Sequence, residues 1–482
     1  MKIQVPEKVN RIIGVLLAHD FEAYAVGGCV RDALLSREAN DWDITTSADP
    51  QEVKALFRRT IDTGIQHGTV TVMLDKEGFE VTTYRIDGEY EDGRHPKEVI
   101  FTKSLEEDLK RRDFTINAMA YNDRAGMVDI FGGVEDLENK IIRCVGVAGE
   151  RFDEDALRIL RAFRFSAQLG FSIEDKTVSA AAKRAENLRK ISAERIRVEL
   201  TKLLLSKHPD RLVAAYEHGI TKIVLPEFDA LMQTGQHNPN HCYNVGQHTL
   251  HVIEFAGDRE RQKEYLKKNL PEFPVESVLS EKIFEPKELQ ILKFAALLHD
   301  VAKPESKINT ETGEEYFPEH AVKGAKKAKE VLQRLKFDNE TIDYVVRLVA
   351  AHTEYPAFTE SEENNLTLMR KMMHRLGVDL PELLWELQLS DILAQHPDAL
   401  EKKLWCLAKA KSLHKAVTER GDCVSLKQLA VNGRDLMEAG VENGVRIGEV
   451  LSELLTQVIA SPAMNEKEAL LRYVKEVINK NE

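Results

Sequence analysis

The chain is poor in the features that would place it outside the cell or in a bilayer. It has only five cysteines in 482 residues, Cys29, Cys144, Cys242, Cys406 and Cys423. They are odd in number, scattered, and form no CxxC pair. Neither a disulfide framework nor a thiolate zinc site is indicated, and a reducing cytoplasm is the simplest setting. No apolar run approaches the roughly 20 residues that cross a bilayer. The opening MKIQVPEKVNRIIGVLLAHD lacks the charged, then apolar, then small-residue order of a secretory signal. Its Ile12, Ile13, Leu16 and Leu17 spacing predicts an amphipathic helix instead. Internal repeats and low-complexity tracts are absent. Positive charge is also short: the net charge is −13, which argues against a general nucleic-acid coat.

What is present points to a multidomain, soluble, largely helical protein. The length exceeds one ordinary core, with 43% hydrophobic and 30% charged residues. Charge reverses locally: Arg151 to Arg211 holds 14 Lys/Arg against 9 Asp/Glu. An RNA would therefore be held along a track rather than over the whole surface. Residues 22 to about 140 read as a small α/β domain. FEAYAVGG, HGTVTVMLD, FEVTTYRID and MVDIFGG have strand character, and PQEVKALFRR and SLEEDLKRRDFTINAMAY read as helical. From about 150 the period is helical, with helices predicted over Asp153–Leu169, Ala193–Leu205 and Arg211–His218. A break is expected at 225–241, where Pro, Gly and Asn cluster. A second helical block (241–400) holds most histidines and a charged insert at 258–288, and a last helical block covers 424–482.

The stretch AVGGCVRDALLSREANDWDITTSADP (25–50) carries the most chemistry. Gly27 and Gly28 end a strand, and without side chains they let backbone amides approach phosphate oxygens. Arg31 follows and can add a charged donor. Asp41 and Asp43 stand at the start of a second β-type run, where residues i and i+2 face the same way. Two such carboxylates can share divalent cations about 3.5–4 Å apart, as two-metal nucleotidyl transfer requires. Glu80, flanked by apolar strand residues, is the expected third carboxylate. A DxD pair alone is common in turns; the GGxVRD just upstream is what makes this one informative.

These pieces occur in a fixed order. GGCVRD (27–32), DWD (41–43), EVTTYR (80–85), RRDFTINAMAY (111–121), DIFGG (129–133), EDALRILRAFRF (154–165) and ERIRVEL (194–200) span about the first 210 residues. The set resembles class II tRNA nucleotidyltransferases (CCA-adding enzymes) and their poly(A) polymerase relatives. The resemblance implies Mg²⁺ at Asp41 and Asp43, with Arg112, Asp113 and Asn117 around the sugar and triphosphate. The apolar Phe114, Ile116 and Met119 are expected in the core of an ordinary helix. Asp155 and Arg158, at i and i+3 on one helix face, could be a simple ion pair worth roughly 0.2–0.5 kcal/mol. In the family they act as a protein template that reads CTP and ATP; Arg161 continues the same face, where it can brace the template or the triphosphate. Asp87, Tyr90, Asp92, Arg94, His95 and Pro96 match a loop needed to switch from C to A. That match argues against a C-only enzyme and leaves complete CCA addition and A-only addition both open.

The histidines form a second ordered set: His248 and His251 in VGQHTLHVIEF, His299-Asp300 closing LKFAALLHD, His320, His352 and Asp391. Imidazoles and carboxylates suit divalent transition metals. The order resembles HD metal-dependent phosphohydrolases. That resemblance implies core ligands His248, His299, Asp300 and Asp391, further ligands His320 and His352 as in bimetallic members, and Lys303 near a substrate phosphate. His251 matches nothing and reads as structural. Activity as a phosphatase or cyclic phosphodiesterase is implied; the metal and native substrate are not.

In the last block, Gly440, Gly444 and Gly448 recur every four residues, but Glu442, Asn443 and Arg446 exclude a membrane helix dimer. VNGRDL resembles the family's tail, which grips the tRNA elbow and makes Arg434 a candidate backbone contact. The expected fold is α+β: a nucleotidyltransferase head of the polymerase-β palm kind (1–140), a helical neck and body with the template helix (141–236), an HD domain (237–400) and a helical tail (401–482). The expected partners are tRNA, CTP and ATP, with no membrane and no protein partner evident, as a monomer or homodimer. The competing readings are an A-adding enzyme, a poly(A) polymerase, and an HD phosphohydrolase with an RNA-binding head.

Overall fold

The computed structural model describes residues 2–39, 41–88, 99–236, 242–309, 314–442 and 444–478. The chain divides into two compact units, Met1–Asp229 and Ala230–Glu482. The division falls inside the Pro-, Gly- and Asn-rich stretch.

The first unit opens with the helix Glu7–Ala18, which buries Val9, Ile12, Ile13 and Leu16. The strands that build the site follow: β1 (Ala23–Val26), β2 (Ile44–Thr46), β3 (Thr60–Gly64), β4 (Thr69–Leu74), β5 (Glu77–Thr83), β6 (Arg85–Asp87), β7 (Val99–Phe101), β8 (Met119–Asn122) and β9 (Gly126–Asp129). Seven make one sheet in the order β3-β4-β5-β2-β1-β8-β9. β6 and β7 form a separate ribbon. Among these strands the pairs are antiparallel except β2 with β5, which run parallel in the register Ile44↔Val81, Thr45↔Thr82, Thr46↔Thr83. The inward residues Ala25, Ile44, Val70, Val81 and Ala120 are fully buried. The exit from β2 is fixed by a capping box. Asp49 accepts from the amides of Gln51 and Glu52, Glu52 accepts from the Asp49 amide, and Pro50 starts the helix Pro50–Leu56.

Two expected helices are broken. SLEEDLKRRDFTINAMAY is not one helix but three elements: the helix Leu105–Lys110, a 3₁₀ turn at Thr115–Asn117, and strand β8. Phe114, Ile116 and Met119 are fully buried, so they pack into the core without a helix to carry them. The break serves the sheet, because β8 pairs with both β1 and β9. Gly133 allows this turn to lie close, since a Cβ there would come within 2.4 Å of the Thr115 carbonyl oxygen. The second break divides 153–169 into Ala148–Glu154 and Leu157–Leu169, with Asp155 extended at φ −139°.

Helices Leu157–Leu169 and Ala193–Leu204 pack together across a buried Arg164–Glu199 pair at 3.0 Å. Burial, opposed by Glu199, lowers the Arg164 pKa to about 10. Glu199→Ala would leave that guanidinium buried without its partner. We expect it to cost about 3–5 kcal/mol, measured by chemical denaturation. A cost below about 1 kcal/mol would show the pair to be incidental.

The second unit is all helical apart from one two-residue hairpin among its described residues. Val245–Phe255, Pro286–Leu298, Asn339–Ala351 and Pro381–Leu393 pack on one another at its centre. Pro286–Leu298 is buried at every position from Ile291 onward, and Pro381–Leu393 is buried on nearly all sides. Such helices have no polar face. The tail helices Gly433–Glu438, Val445–Ala460 and Lys467–Tyr473 close on a cluster that includes Leu436, Leu454, Val458 and Leu470. No described helix is long and apolar enough to cross a membrane.

Candidate active sites

The first site lies where β1 ends and β2 begins, beside the middle of β5. β1 stops at Val26. Gly27 takes φ +84°, and a Cβ there would meet Arg112 Nη1 at 2.9 Å, so this position needs glycine on both counts. The helix Gly28–Leu34 starts immediately after. The Val26 amide donates to the Asp43 carbonyl at 3.0 Å and the Gly27 amide to that of Met119 at 3.1 Å, fixing the turn between its neighbours. Asp41 and Asp43 precede β2 rather than open it, because the strand begins at Ile44. One step back from the Ile44↔Val81 pair, Asp43 stands beside Glu80. Ile44 and Val81 point into the core, so by alternation their neighbours point out. Asp41, Asp43 and Glu80 are all exposed.

These carboxylates feel one another. Partial loss of hydration raises the Asp43 pKa; Arg112 pulls it back and Asp41 adds to the rise. Glu80 is raised by the same loss of hydration and by the charges of Asp43 and Asp41. A raised carboxylate pKa means that protons compete with cations from a higher pH. Divalent-ion binding at the head should therefore begin to weaken above the usual carboxylate range of about 4 as pH falls. Glu80→Gln removes one titrating group and one repulsive charge, so it should move that onset to lower pH. Mn²⁺ titrations across pH test this, and an onset unmoved by Glu80→Gln would contradict it.

Behind the carboxylates, the expected nucleotide-binding residues form one network. Arg31 holds Asp32 through Nε and Nη2, both at 2.9 Å, and donates from Nη1 to Asn117 Oδ1 at 2.7 Å. Asn117 donates to Asp113 Oδ1 at 3.0 Å, and Arg161 donates to Asp113 Oδ2 at 2.8 Å. Burial pushes the Asp113 carboxyl up, but Arg161 and Asn117 outweigh it and hold it below its ordinary range. Arg161 therefore braces Asp113 and does not continue a face shared with Asp155. A cavity of about 520 Å³ opens here, lined by Gly27, Gly28, Arg31, Asp43, Arg112, Asp113, Asn117 and Arg161 among others.

Two further residues complete the site. Phe165 lies under three guanidinium groups, with Arg164 at 4.0 Å, Arg31 at 5.0 Å and Arg161 at 5.5 Å from its ring centre. Asp108 is fully buried and binds Arg111 at 2.9 Å, Arg112 at 3.4 Å and the Thr45 hydroxyl at 3.1 Å. It anchors Arg111 and Arg112, the latter beside the cavity. Its i, i+3 and i, i+4 spacing to Arg111 and Arg112 was visible in EEDLKRRD. The stacking role of Phe165 had no signal beyond its position in the motif.

The template residues depart from the sequence expectation. Asp155 is not one turn before Arg158 on a continuous helix. It sits in the break, where its carboxylate accepts from the Leu157 amide at 3.0 Å and pairs with Arg195 at 2.7 Å. Arg158 binds Glu154 at 2.5 Å and donates to the carbonyls of Arg111 at 2.9 Å and Arg151 at 3.2 Å. By taking the Leu157 amide, the Asp155 side chain competes with the helix for its backbone, so the period stops there. Neither side chain is among those lining the cavity. Tyr90, Asp92, Arg94, His95 and Pro96 lie outside the described residues, as does the side chain of Asp87, whose backbone ends β6.

The second site gathers at one end of the central helices of the second unit. His248 comes from Val245–Phe255, His299 and Asp300 follow Pro286–Leu298, His352 caps Asn339–Ala351, Asp391 lies near the end of Pro381–Leu393, and His320 opens the helix His320–Arg334. His248 Nε2 lies 2.9 Å from Asp391 Oδ1 and 3.4 Å from His299 Nε2. Asp300 faces two ways, with Oδ2 3.1 Å from His299 and Oδ1 3.4 Å from His320 and 3.8 Å from His352. Two ligand groups result, His248–His299–Asp300 and Asp300–His320–His352. Lys303 Nζ is 2.7 Å from Asp300 Oδ2 and 2.9 Å from Gln236 Oε1.

The donor chemistry fits metal ions. Each imidazole has Nδ1 against a backbone carbonyl: Ala394 at 3.3 Å for His248, Ala296 at 2.8 Å for His299, Phe317 at 2.6 Å for His320 and Val349 at 2.7 Å for His352. With Nδ1 donating, the Nε2 lone pairs converge on Asp300, the arrangement that orients metal-binding histidines. Burial lowers the pKa of His248 and His320, favouring the neutral ligand form, while Asp300 overrides burial and raises His299. Asp391 is held below its ordinary range, because His248 outweighs its burial. His251 stays apart, bonded to Glu254 at 2.9 Å and packed on Tyr243. In the tail, Arg434 is exposed, with Glu438 at 3.5 Å beside it.

Comparison with known proteins places both units. The Poly A polymerase head domain matches residues 23–143, and the RNA- and SrmB-binding-site domain of polymerase A matches 170–232. A tRNA nucleotidyltransferase domain 2 matches 320–474, a range that includes His320, His352 and Asp391. A CCA-adding enzyme of Lactiplantibacillus plantarum is 54% identical over 198 residues, 41% of this chain and 49% of the relative. One of Leuconostoc mesenteroides is 57% identical over 209 residues, covering 42% and 52%. The matches thus span about half the length of these curated relatives. Among solved structures, the Bacillus stearothermophilus CCA-adding enzyme in complex with CTP aligns over 99% of this chain and 100% of its own, at 28% identity and TM-score 0.64. The Thermotoga maritima enzyme complexed with tRNA shares the fold at 20% identity and TM-score 0.56, covering 100% of each chain. Three domain matches, the curated relatives, and the glycine turn, carboxylates and arginine network together make the chain similar to the CCA-adding nucleotidyltransferases and poly(A) polymerases.

Proposed function

We propose that the chain adds C, C and A to the 3′ end of tRNA from CTP and ATP without a nucleic-acid template. The observation that carries this is the convergence of Asp43 and Glu80 on neighbouring strands beside the Gly27 turn and its arginine network. Asp41, Asp43 and Glu80 would hold Mg²⁺, which assists loss of the 3′-hydroxyl proton and offsets triphosphate charge. The 3′ oxygen attacks the α-phosphorus, the bond to the bridging oxygen breaks, and pyrophosphate leaves. Arg31, Arg112 and Arg161 meet the triphosphate with fixed donors, held in place by Asn117, Asp108 and Asp113 respectively. Asp155 and Arg158 would choose the base; Asp155 keeps carboxylate lone pairs beyond those taken by Leu157 and Arg195. CTP and ATP complexes of solved relatives support this reading. Incorporation on tRNA and on unrelated RNA tests it. Addition that stops after a few nucleotides on tRNA alone agrees, and long homopolymer tails on any RNA would select a poly(A) polymerase instead.

The second site supports a metal-dependent phosphohydrolase. His248, His299, Asp300 and Asp391 would hold one divalent transition-metal ion, and Asp300, His320 and His352 a second, which together would supply an activated water. Hydrolysis adds the water oxygen to phosphorus, breaks the ester P–O bond, and returns a proton to the leaving oxygen. Lys303, held by Asp300 and Gln236, stands where a phosphate would need a cation. Phosphate-ester hydrolysis by the full chain with Mn²⁺, Ni²⁺ or Co²⁺ tests this. Inactivity with all three would reduce the cluster to a scaffold.

A further inference from the structure

Two side chains outside every motif reach the second site. Gln395 follows the helix that carries Asp391 and is buried. Its Nε2 donates to Asp391 Oδ2 at 3.2 Å, and its Oε1 accepts from Lys403 Nζ. Asp391 Oδ1 in turn lies 2.9 Å from His248 Nε2. A chain of contacts therefore runs from the next helix, Leu400–Glu419, through Gln395 and Asp391 to an imidazole of the cluster. Lys403 is half-buried with its ammonium turned inward, whereas a surface lysine extends its head to water. Burial lowers its pKa, with Asp391 opposing and Lys303 adding to the shift, so both lysines lie in the field of one site.

The charge count has a consequence for substrate. Lys303 and Lys403 balance the two carboxylates Asp300 and Asp391. The charge of divalent ions on the imidazoles is then left for the ligand to offset. A terminal phosphate with two negative charges offsets more of it than a diester with one, and the difference counts most where water is excluded. We infer that Lys403 is a positioning and specificity-determining residue of the second site, fixing Asp391 through Gln395 and favouring phosphomonoesters over phosphodiesters. The inference rests on the hydrolase reading above.

The test uses the full chain with Mn²⁺, p-nitrophenyl phosphate and bis-(p-nitrophenyl) phosphate. Lys403→Met should lower kcat/KM on the monoester by about 10–100-fold, in line with loss of a residue behind a metal ligand. The diester rate should fall much less, so the monoester-to-diester ratio drops. Lys403→Arg should restore much of that ratio. Equilibrium dialysis should show weaker binding of at least one Mn²⁺ ion in Lys403→Met, and CMP incorporation by the head should be unchanged. An unaltered ester ratio and unaltered Mn²⁺ binding in an active variant would overturn the role of Lys403 alone. Wild-type inactivity on both esters with every metal tried would overturn the hydrolase reading and this inference with it.

Discussion

Asp41→Ala/Asp43→Ala is expected to reduce CMP incorporation by at least about 10³-fold, with folding unaffected. Loss of bound metal removes several kcal/mol of transition-state stabilisation, and about 4 kcal/mol corresponds to three decades in rate. Both side chains are exposed, so the change should cost little stability, within about 0.5 kcal/mol. The Gly27 turn rests on backbone bonds to Asp43 and Met119 and survives loss of the carboxylates. Single-turnover incorporation of labelled CTP measures the effect. Normal incorporation by the double variant would remove the polymerase assignment from these residues.

The second large effect is expected at Asp300. One carboxylate serves both ligand groups, with Oδ2 toward His299 and Oδ1 toward His320 and His352. Asp300→Asn keeps the volume but withdraws the charge shared by both groups. Phosphate-ester hydrolysis should fall by about 10³-fold or more, and bound Mn²⁺ by at least one ion per chain. CMP incorporation should be unchanged, since no residue of the head is altered. His251→Ala is the matched control, because its imidazole bonds Glu254 and lies outside both groups. Full metal binding by Asp300→Asn would show that the histidines suffice and that the carboxylate does not bridge.

Much of the head was legible because its signals are local. The β-branched run at 69–74 and the glycine pair at 27–28 each fix nearby backbone by sterics or alternation and stand where the pattern put them, whereas the DxD pair falls just before its strand. The placement of Glu80 also followed from strand alternation, although its neighbour Asp43 could be identified only once β2 and β5 were known to pair parallel. Periodicity failed where one side chain outweighed it. Asp155 takes the Leu157 amide and ends the helix that 153–169 predicts, and Met119 belongs to a strand because β1 and β9 supply partners the local pattern cannot show. The histidine order was readable, but the convergence of the four Nε2 atoms depends on the Nδ1 bonds to backbone carbonyls. Gln395 and Lys403 had no signal at all, since their role exists only through contact with Asp391.

Complete CCA addition at the carboxylates of the head can be followed on three substrates. Nucleotide incorporation should be followed on tRNA ending at the discriminator base, at the first C, and at CC. CTP and ATP together should extend all three to the same CCA end, by three, two and one residues. Extension of only the tRNA ending in CC would contradict complete addition and identify an A-adding enzyme.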